Sequence, residues 1–253
     1  METAGEWQNQ ENEKMTKHGK KKCTAIVLAA GQGRRMGSAV QKQYIELEGK
    51  PLIYYTLQTF EKSEVIDDVI LVVGPGQIAY VQEEILNPYH IEKVHAVVEG
   101  GKERYESVFR GLQAVKDSEC YVFIHDGARM FVDEAILQRG YEYVEKYGAC
   151  VAGMPSKDTV KMVDEENFAV STPDRRFVWT VQTPQVFEYS LIEKAYSRLM
   201  QEEEIQVTDD AMVAEQMLGV SVRLFEGSYR NLKITTPEDL EIAGTFLRNV
   251  SVE

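Results

Sequence analysis

The sequence predicts an α/β fold: a Rossmann-like, mostly parallel sheet with helices on both faces and an extended β-hairpin arm. Three observations lead there. From Thr24 onward, short β-branched runs alternate with segments of helical length, which is the pattern of a sheet covered on both sides. The longest apolar stretches, such as 25–30 and 69–73, are of strand length, and none approaches the roughly 18 residues of a membrane span. Between Pro155 and Phe187 the alternation breaks, and two strand-like runs, 159–163 and 177–182, flank the polar stretch 164–176 as the two sides of a hairpin.

Taken in order, strands are expected at 24–29, 69–73, 94–98, 121–124, 149–153 and 220–225. The first helix begins at Pro51, which suits a first helical turn, and Leu52, Ile53, Tyr55, Leu57 and Phe60 are spaced to form one buried stripe. Further helices are expected at 77–86, 103–115, 133–147, 189–200 and 209–218. The last opens at Thr236-Pro237-Glu238-Asp239, with Thr as cap, Pro at the first position and two acids facing the positive helix end.

At 253 residues the chain can bury a large core, and one domain over 23–253 is expected, with the arm at about 156–182. Residues 1–22 are polar and charged with almost no apolar side chain, so they read as a flexible tail, and Met15 is a second candidate start. The 28 basic against 41 acidic residues give a net charge of −13, which disfavours a polyanionic partner such as nucleic acid. A small phosphorylated molecule needs only a local cluster of cations and stays open. Cys23, Cys120 and Cys150 are too far apart for a zinc site and read as buried thiols of a soluble, cytoplasmic protein without membrane contact.

The strongest chemical signal follows the first strand: Leu28-Ala29-Ala30-Gly31-Gln32-Gly33-Arg34-Arg35-Met36-Gly37. Small residues in a strand-to-helix loop let a ligand approach the backbone, whose N–H groups can cradle phosphate oxygens. The dinucleotide fingerprint would need a third glycine at Met36, and no Gly-Lys-Ser/Thr completes a P-loop, so neither a nicotinamide dehydrogenase nor a P-loop enzyme fits. In Gln41-Lys42-Gln43-Tyr44, Lys42 is close enough to converge with Arg34 and Arg35 on one polyphosphate and stabilise a phosphoryl group under attack.

With these residues the chain resembles the sugar-phosphate nucleotidyltransferases, and most closely the 2-C-methyl-D-erythritol 4-phosphate cytidylyltransferase family of non-mevalonate isoprenoid synthesis. Gly100-Gly101-Lys102-Glu103-Arg104 through Ser107 is similar to the family's Gly-Gly-x-x-Arg-x-x-Ser block, and His125-Asp126-Gly127-Ala128-Arg129 to its His-Asp-x-Ala-Arg signature. The resemblance continues through Lys157-Asp158-Thr159, Thr172 to Arg175, Thr183-Pro184-Gln185, Thr208-Asp209-Asp210 and Asn231-Leu232-Lys233. It implies cytidylyl transfer from CTP to a sugar-alcohol phosphate. Arg35, Lys42, Arg175 and Lys233 would be catalytic, and Ala29, Ala30, Gly31, Gly33, Gly101, Arg104, Ser107, Arg129, Thr159, Thr183 and Thr208 would bind substrates. Asp126 would hold Mg²⁺, and a homodimer would form through the arm, carrying Thr159 and Arg175 to a partner's site. A strand-end carboxylate such as Asp126 is also where an open α/β sheet places ligand chemistry. Ribitol 5-phosphate cytidylyltransferases share most of these blocks, and a non-catalytic CTP-binding paralogue is a further alternative. The chain departs from the family at Gln41 and Met130, where prolines are usual, and at Gly127, where alanine is usual.

Overall fold

The structure is a computed structural model and describes residues 19–31, 33 and 41–250. Strand β1 (Cys23–Ala29) is followed by a 3-10 turn at Lys42–Tyr44 and a small hairpin, β2 (Glu46–Leu47) with β3 (Lys50–Pro51). Helix α1 (Leu52–Lys62) leads to β4 (Asp68–Val73), and α2 (Ile78–Val81), widening into a π-helical turn at Gln82–Leu86, leads to β5 (Val94–Glu99). Then come α3 (Arg104–Gln113), β6 (Tyr121–Asp126), α4 (Glu134–Tyr147) and β7 (Ala149–Pro155). The arm carries β8 (Met162–Val163) and β9 (Ala169–Ser171); β10 (Trp179–Glu188), α5 (Tyr189–Leu199), α6 (Asp210–Leu218), β11 (Arg223–Glu226) and α7 (Pro237–Val250) follow.

Seven strands form one sheet in the order β11-β7-β10-β6-β1-β4-β5. Every neighbouring pair is parallel except those of β10, which runs against both β6 and β7. The pleat of β1 divides the core. Ala25, Val27 and Ala29 face a layer holding Ile53, Leu57 and Phe60 of α1 and Ile136, Leu137 and Val144 of α4. Ile26 faces the other layer, with Val108 and Leu112 of α3, Ile192 and Tyr196 of α5 and Val213 of α6. A smaller cluster of Leu52, Met130, Ile234 and Ala243 fastens α7 against the start of α1 and the turn after β6.

Four expectations are corrected. The helix at Leu52 does not present one stripe: Leu52 and Tyr55 join the satellite cluster while Ile53, Leu57 and Phe60 enter the main core. The run 177–182 is not half of the arm's hairpin. From Trp179 it belongs to β10 and the central sheet, and the hairpin is instead the short β8–β9 pair. Pro184 conceals this, because it splits one strand signal in two; the structure accommodates it in the register shift between Val181 and Gln185. The strand expected at 220–225 begins only at Arg223. The tail expected over 1–22 lies outside the described residues up to 18, whereas 20–22 are pinned: Lys20 Nζ donates to the Glu64 carbonyl at 2.6 Å and Lys22 pairs with Asp68 at 2.6 Å.

Candidate active site

The carboxyl ends of β1, β4, β5 and β6 open onto one cavity of about 610 Å³, where a parallel sheet gathers its ligands. Glycines let these strand ends crowd together. A Cβ on Gly100 would stand 2.5 Å from Ala30 Cβ and 2.7 Å from Ser107 Oγ. Gly33 combines a φ of +61° with a close approach to Lys42, since an added Cβ would lie 2.7 Å from the lysine's own Cβ. Behind Ala29, the Gln43 amide donates to its carbonyl at 2.5 Å and to Gln41 Oε1 at 2.6 Å, so the Lys42 segment is tied to the end of β1.

The second wall is the start of α3. Ser107 Oγ accepts from the Gly101 N–H at 3.1 Å and donates to the Glu103 carbonyl at 3.2 Å. Glu106 accepts the N–H groups of Lys102 and Glu103, which closes the helix's first turn. Arg110 donates to the Glu99 and Gly100 carbonyls at 3.2 and 2.9 Å, holding the Gly-Gly strand end from below.

A chain of charges crosses the floor. Lys233 Nζ lies 2.7 Å from Asp126 Oδ2, and Arg104 Nε lies 3.3 Å from Asp126 Oδ1. The Arg104 fork is bidentate to Asp210, at 2.8 Å for each arm, and the Tyr196 hydroxyl donates to Asp210 Oδ1 at 2.5 Å. Burial would raise the pKa of Asp126, but Arg104 and Lys233 outweigh it and hold the carboxyl far below its usual range. Burial alone would lower Arg104, yet Asp210 and Asp126 carry it well above its ordinary value. Tyr196, buried against the same carboxylate, is pushed far upward and keeps its proton.

A neighbouring cavity of about 240 Å³ shares Arg104, Asp126 and Lys233 and adds Arg129, Thr183 and Thr208. His125 buttresses it. Its Nε2 faces the Arg129 carbonyl at 3.1 Å, which can only accept, so Nε2 carries the proton and Nδ1 accepts from the Thr183 hydroxyl at 3.1 Å. That hydroxyl in turn accepts the Asp126 N–H at 3.1 Å. Complete burial lowers the His125 pKa to about 4, which keeps the ring neutral. Arg129 donates to the Asn231 carbonyl at 2.8 Å, and burial, with Arg104 nearby, lowers its pKa.

Of the residues singled out from sequence, Ala29, Ala30, Gly31, Lys42, Gly101, Arg104, Ser107, Asp126 and Lys233 line the first cavity, Gly33 packs on Lys42, and Arg129, Thr183 and Thr208 line the second. Thr159 and Arg175 sit exposed on the arm, in neither cavity; Arg175 donates to the Lys157 carbonyl at 3.1 Å. Arg35 lies outside the described residues. Sequence reasoning did not assign the buried support behind the site: Asp210, Tyr196, Gln43 and His125. Asp209 and Asp210 are adjacent acids, yet Asp209 caps α6 through the Met212 N–H while Asp210 turns inward. What distinguishes them are tertiary partners, Arg104 and Tyr196 for Asp210 and Gln185 for Asp209, all distant in sequence.

The departures from the family pattern are absorbed locally. Gln41 has φ −61°, the angle that a proline would impose. Met130 is buried in the satellite cluster beside Ile234, so it helps to seat the neighbouring Lys233.

Comparison with known proteins agrees with this geometry. Residues 23–249 match the family described as "IspD: 2-C-methyl-D-erythritol 4-phosphate cytidylyltransferase". The chain is 50% identical over 227 residues to the protein of that name from Lachnoclostridium phytofermentans, covering 90% of this chain and 97% of the relative. It is 49% identical over 226 residues to the one from Lachnospira eligens, covering 89% and 99%. Among solved structures, the 4-diphosphocytidyl-2C-methyl-D-erythritol synthase from Anaerococcus prevotii superposes with a TM-score of 0.80 at 32% identity, covering 90% of this chain and 96% of that one. The match runs from the first sheet strand into the last helix and takes in every charged residue of both cavities, and so the chain belongs to the IspD family of 2-C-methyl-D-erythritol 4-phosphate cytidylyltransferases.

Proposed function

We infer that this chain transfers the cytidylyl group of CTP to 2-C-methyl-D-erythritol 4-phosphate, giving 4-diphosphocytidyl-2-C-methyl-D-erythritol and pyrophosphate for isoprenoid precursor synthesis. The observation that carries the reading is the pair of joined cavities sharing Arg104, Asp126 and Lys233, one walled by small residues and Lys42, the other by Arg129, Thr183 and Thr208. CTP occupies the larger and the acceptor the smaller.

An acceptor phosphate oxygen attacks the α-phosphorus of CTP, the new P–O bond forms as the bond to the β-phosphate oxygen breaks, and pyrophosphate leaves with that electron pair. A phosphate monoester is already largely ionised near neutral pH, so no strong base is required. Asp126 is in any case too weak a base, its carboxyl being held far down by its cations. Catalysis therefore rests on positioning and charge neutralisation. Lys42 and Arg35 stabilise the five-coordinate phosphorus, and Lys233 screens the phosphates beside the acceptor.

Asp126 fits a Mg²⁺ ion. It is ionised and opens on both cavities, so it can supply one carboxylate to the ion, with the phosphate oxygens of a bound substrate supplying others. Mg²⁺ commonly takes one or two carboxylates and completes its shell with phosphate oxygens and water. When bound, the ion neutralises charge on the triphosphate. The protein's part is to supply Asp126 and to let Lys233 exchange that carboxylate for a phosphate.

The arm supports a homodimer in which Thr159 and Arg175 reach the acceptor of a second copy. Met162, Val163, Phe168, Val170 and Phe177 are all more than half exposed on it, an apolar surface that water disfavours. No helix among the described residues is long and apolar enough to cross a membrane, and three free, buried cysteines support a reducing, cytoplasmic setting.

The test is pyrophosphate release from CTP with erythritol- and ribitol-type acceptor phosphates, with and without Mg²⁺. Release with the methylerythritol phosphate is expected, and turnover should fall about a hundredfold or more in Lys42→Ala and in Arg35→Ala. A clear preference for the ribitol phosphate would overturn the acceptor, and unchanged turnover in either variant would overturn the assigned roles.

A further inference from the structure

The geometry points to Asp210, supported by Tyr196, as a positioning residue that keeps the Arg104 fork away from Asp126 and so leaves that carboxylate open to the site. This rests on the cytidylyl-transfer reading above and adds to it a residue that touches neither substrate.

Arg104 stands between two carboxylates. Both terminal nitrogens are engaged by Asp210 at 2.8 Å, leaving only Nε, at 3.3 Å, for Asp126. Planar guanidinium–carboxylate pairing is strongest as a two-pronged contact, so the two acids compete for one fork. Asp210 has the advantage on three counts. It is fully buried. It is the first residue of α6, where the helix's positive end favours an anion. Its Oδ1 also accepts a hydrogen bond from the Tyr196 hydroxyl at 2.5 Å. The first turn of α6 cannot drift, because Gln185 Oε1 accepts the Ala211 N–H at 2.9 Å and the Gln185 amide donates to Asp209 Oδ2 at 3.0 Å.

Were Asp210 neutral, the fork would be free to turn onto Asp126, which sits in the same reach. Asp126 would then be sealed by two N–H groups and withdrawn from Lys233 and from any ligand of the cavity. The consequence falls on turnover more than on nucleotide capture, since of the residues expected to hold CTP only Arg104 is moved, while Ala29, Ala30, Gly101 and Ser107 are untouched.

A double-mutant cycle separates this from a purely structural salt bridge. Asp210→Asn should lower kcat about tenfold, the effect of losing an outer partner of a site group, while direct CTP binding changes less than threefold. In an Arg104→Met background Asp210→Asn should have no further effect on kcat, although it should raise the melting temperature by removing an unpaired buried charge. A structural role predicts the opposite, with activity recovering alongside stability. Tyr196→Phe, which removes one hydroxyl from a buried ring, serves if Asp210→Asn does not fold: a threefold loss confined to the native background is expected. Equal losses in both backgrounds, or none in the native one, would overturn the assignment. A native enzyme that releases no pyrophosphate would instead end the functional reading itself.

Discussion

At the residue scale, a buried neutral histidine ties the stability of the fold to pH. His125 joins the Arg129 carbonyl to Thr183 and thereby to the Asp126 N–H, and its pKa is lowered from 6.5 to about 4 by burial. The unfolded chain binds a proton that the folded one refuses, so stability falls as pH drops from about 6.5 towards 4, by up to about 3 kcal/mol for this group. Asp126 acts in the same direction lower down. Its folded pKa is depressed, so its stabilisation is present above the unfolded value of about 3.8 and fades as pH falls below it. Melting temperatures followed across pH 4–7.5 should show His125→Gln less stable than the native chain at pH 7.5 but flatter between 6.5 and 4. Equal slopes would show that another group governs that window.

At the element scale, the sequence spoke clearly where periodicity and apolar content agree. Five of the six expected strands begin within a residue of the place predicted, because β1, β4, β6 and β7 are apolar runs bounded by turn residues. It was least legible at β10, where Thr183-Pro184 interrupts a strand whose partners lie on both sides, and at α1, whose apolar residues serve two cores. The cavity-lining residues that were singled out were readable because small residues and cations cluster at strand ends. Their buried supports were not, since Asp210 and Tyr196 meet Arg104 only through the tertiary fold. The turn after β6 shows how a departure is compensated between elements. A Cβ on Gly127 would lie 2.6 Å from Ile53 Cδ1 on α1 and 3.0 Å from the Leu28 carbonyl on β1. Gly127→Ala should cost about 1–3 kcal/mol in denaturant unfolding, and Ile53→Val, which removes the offending methyl, should recover part of that loss in the double variant. Strictly additive losses would mean that the backbone contact dominates.

At the scale of the whole molecule, the proposed dimer makes a complementation prediction. Lys42→Ala spoils the site of its own chain, whereas Arg175→Ala spoils the site of the other. Mixing the two inactive variants and letting subunits exchange should restore about a quarter of native turnover, because half the dimers are mixed and each of those has one intact site. No recovery, with sedimentation confirming exchange, would place Arg175 outside the reaction. The topology makes such an arm easy to carry. Since β10 runs against β7, the polypeptide quits the sheet at Pro155 and rejoins it at Trp179, directly opposite that residue in the ladder. The excursion is thus knotted off at its own root, two residues before Val181 on the wall of the smaller cavity. Insertions or trims beyond that root leave the threading of the seven strands unaltered, so reach towards a neighbour can evolve separately from the chemistry it serves.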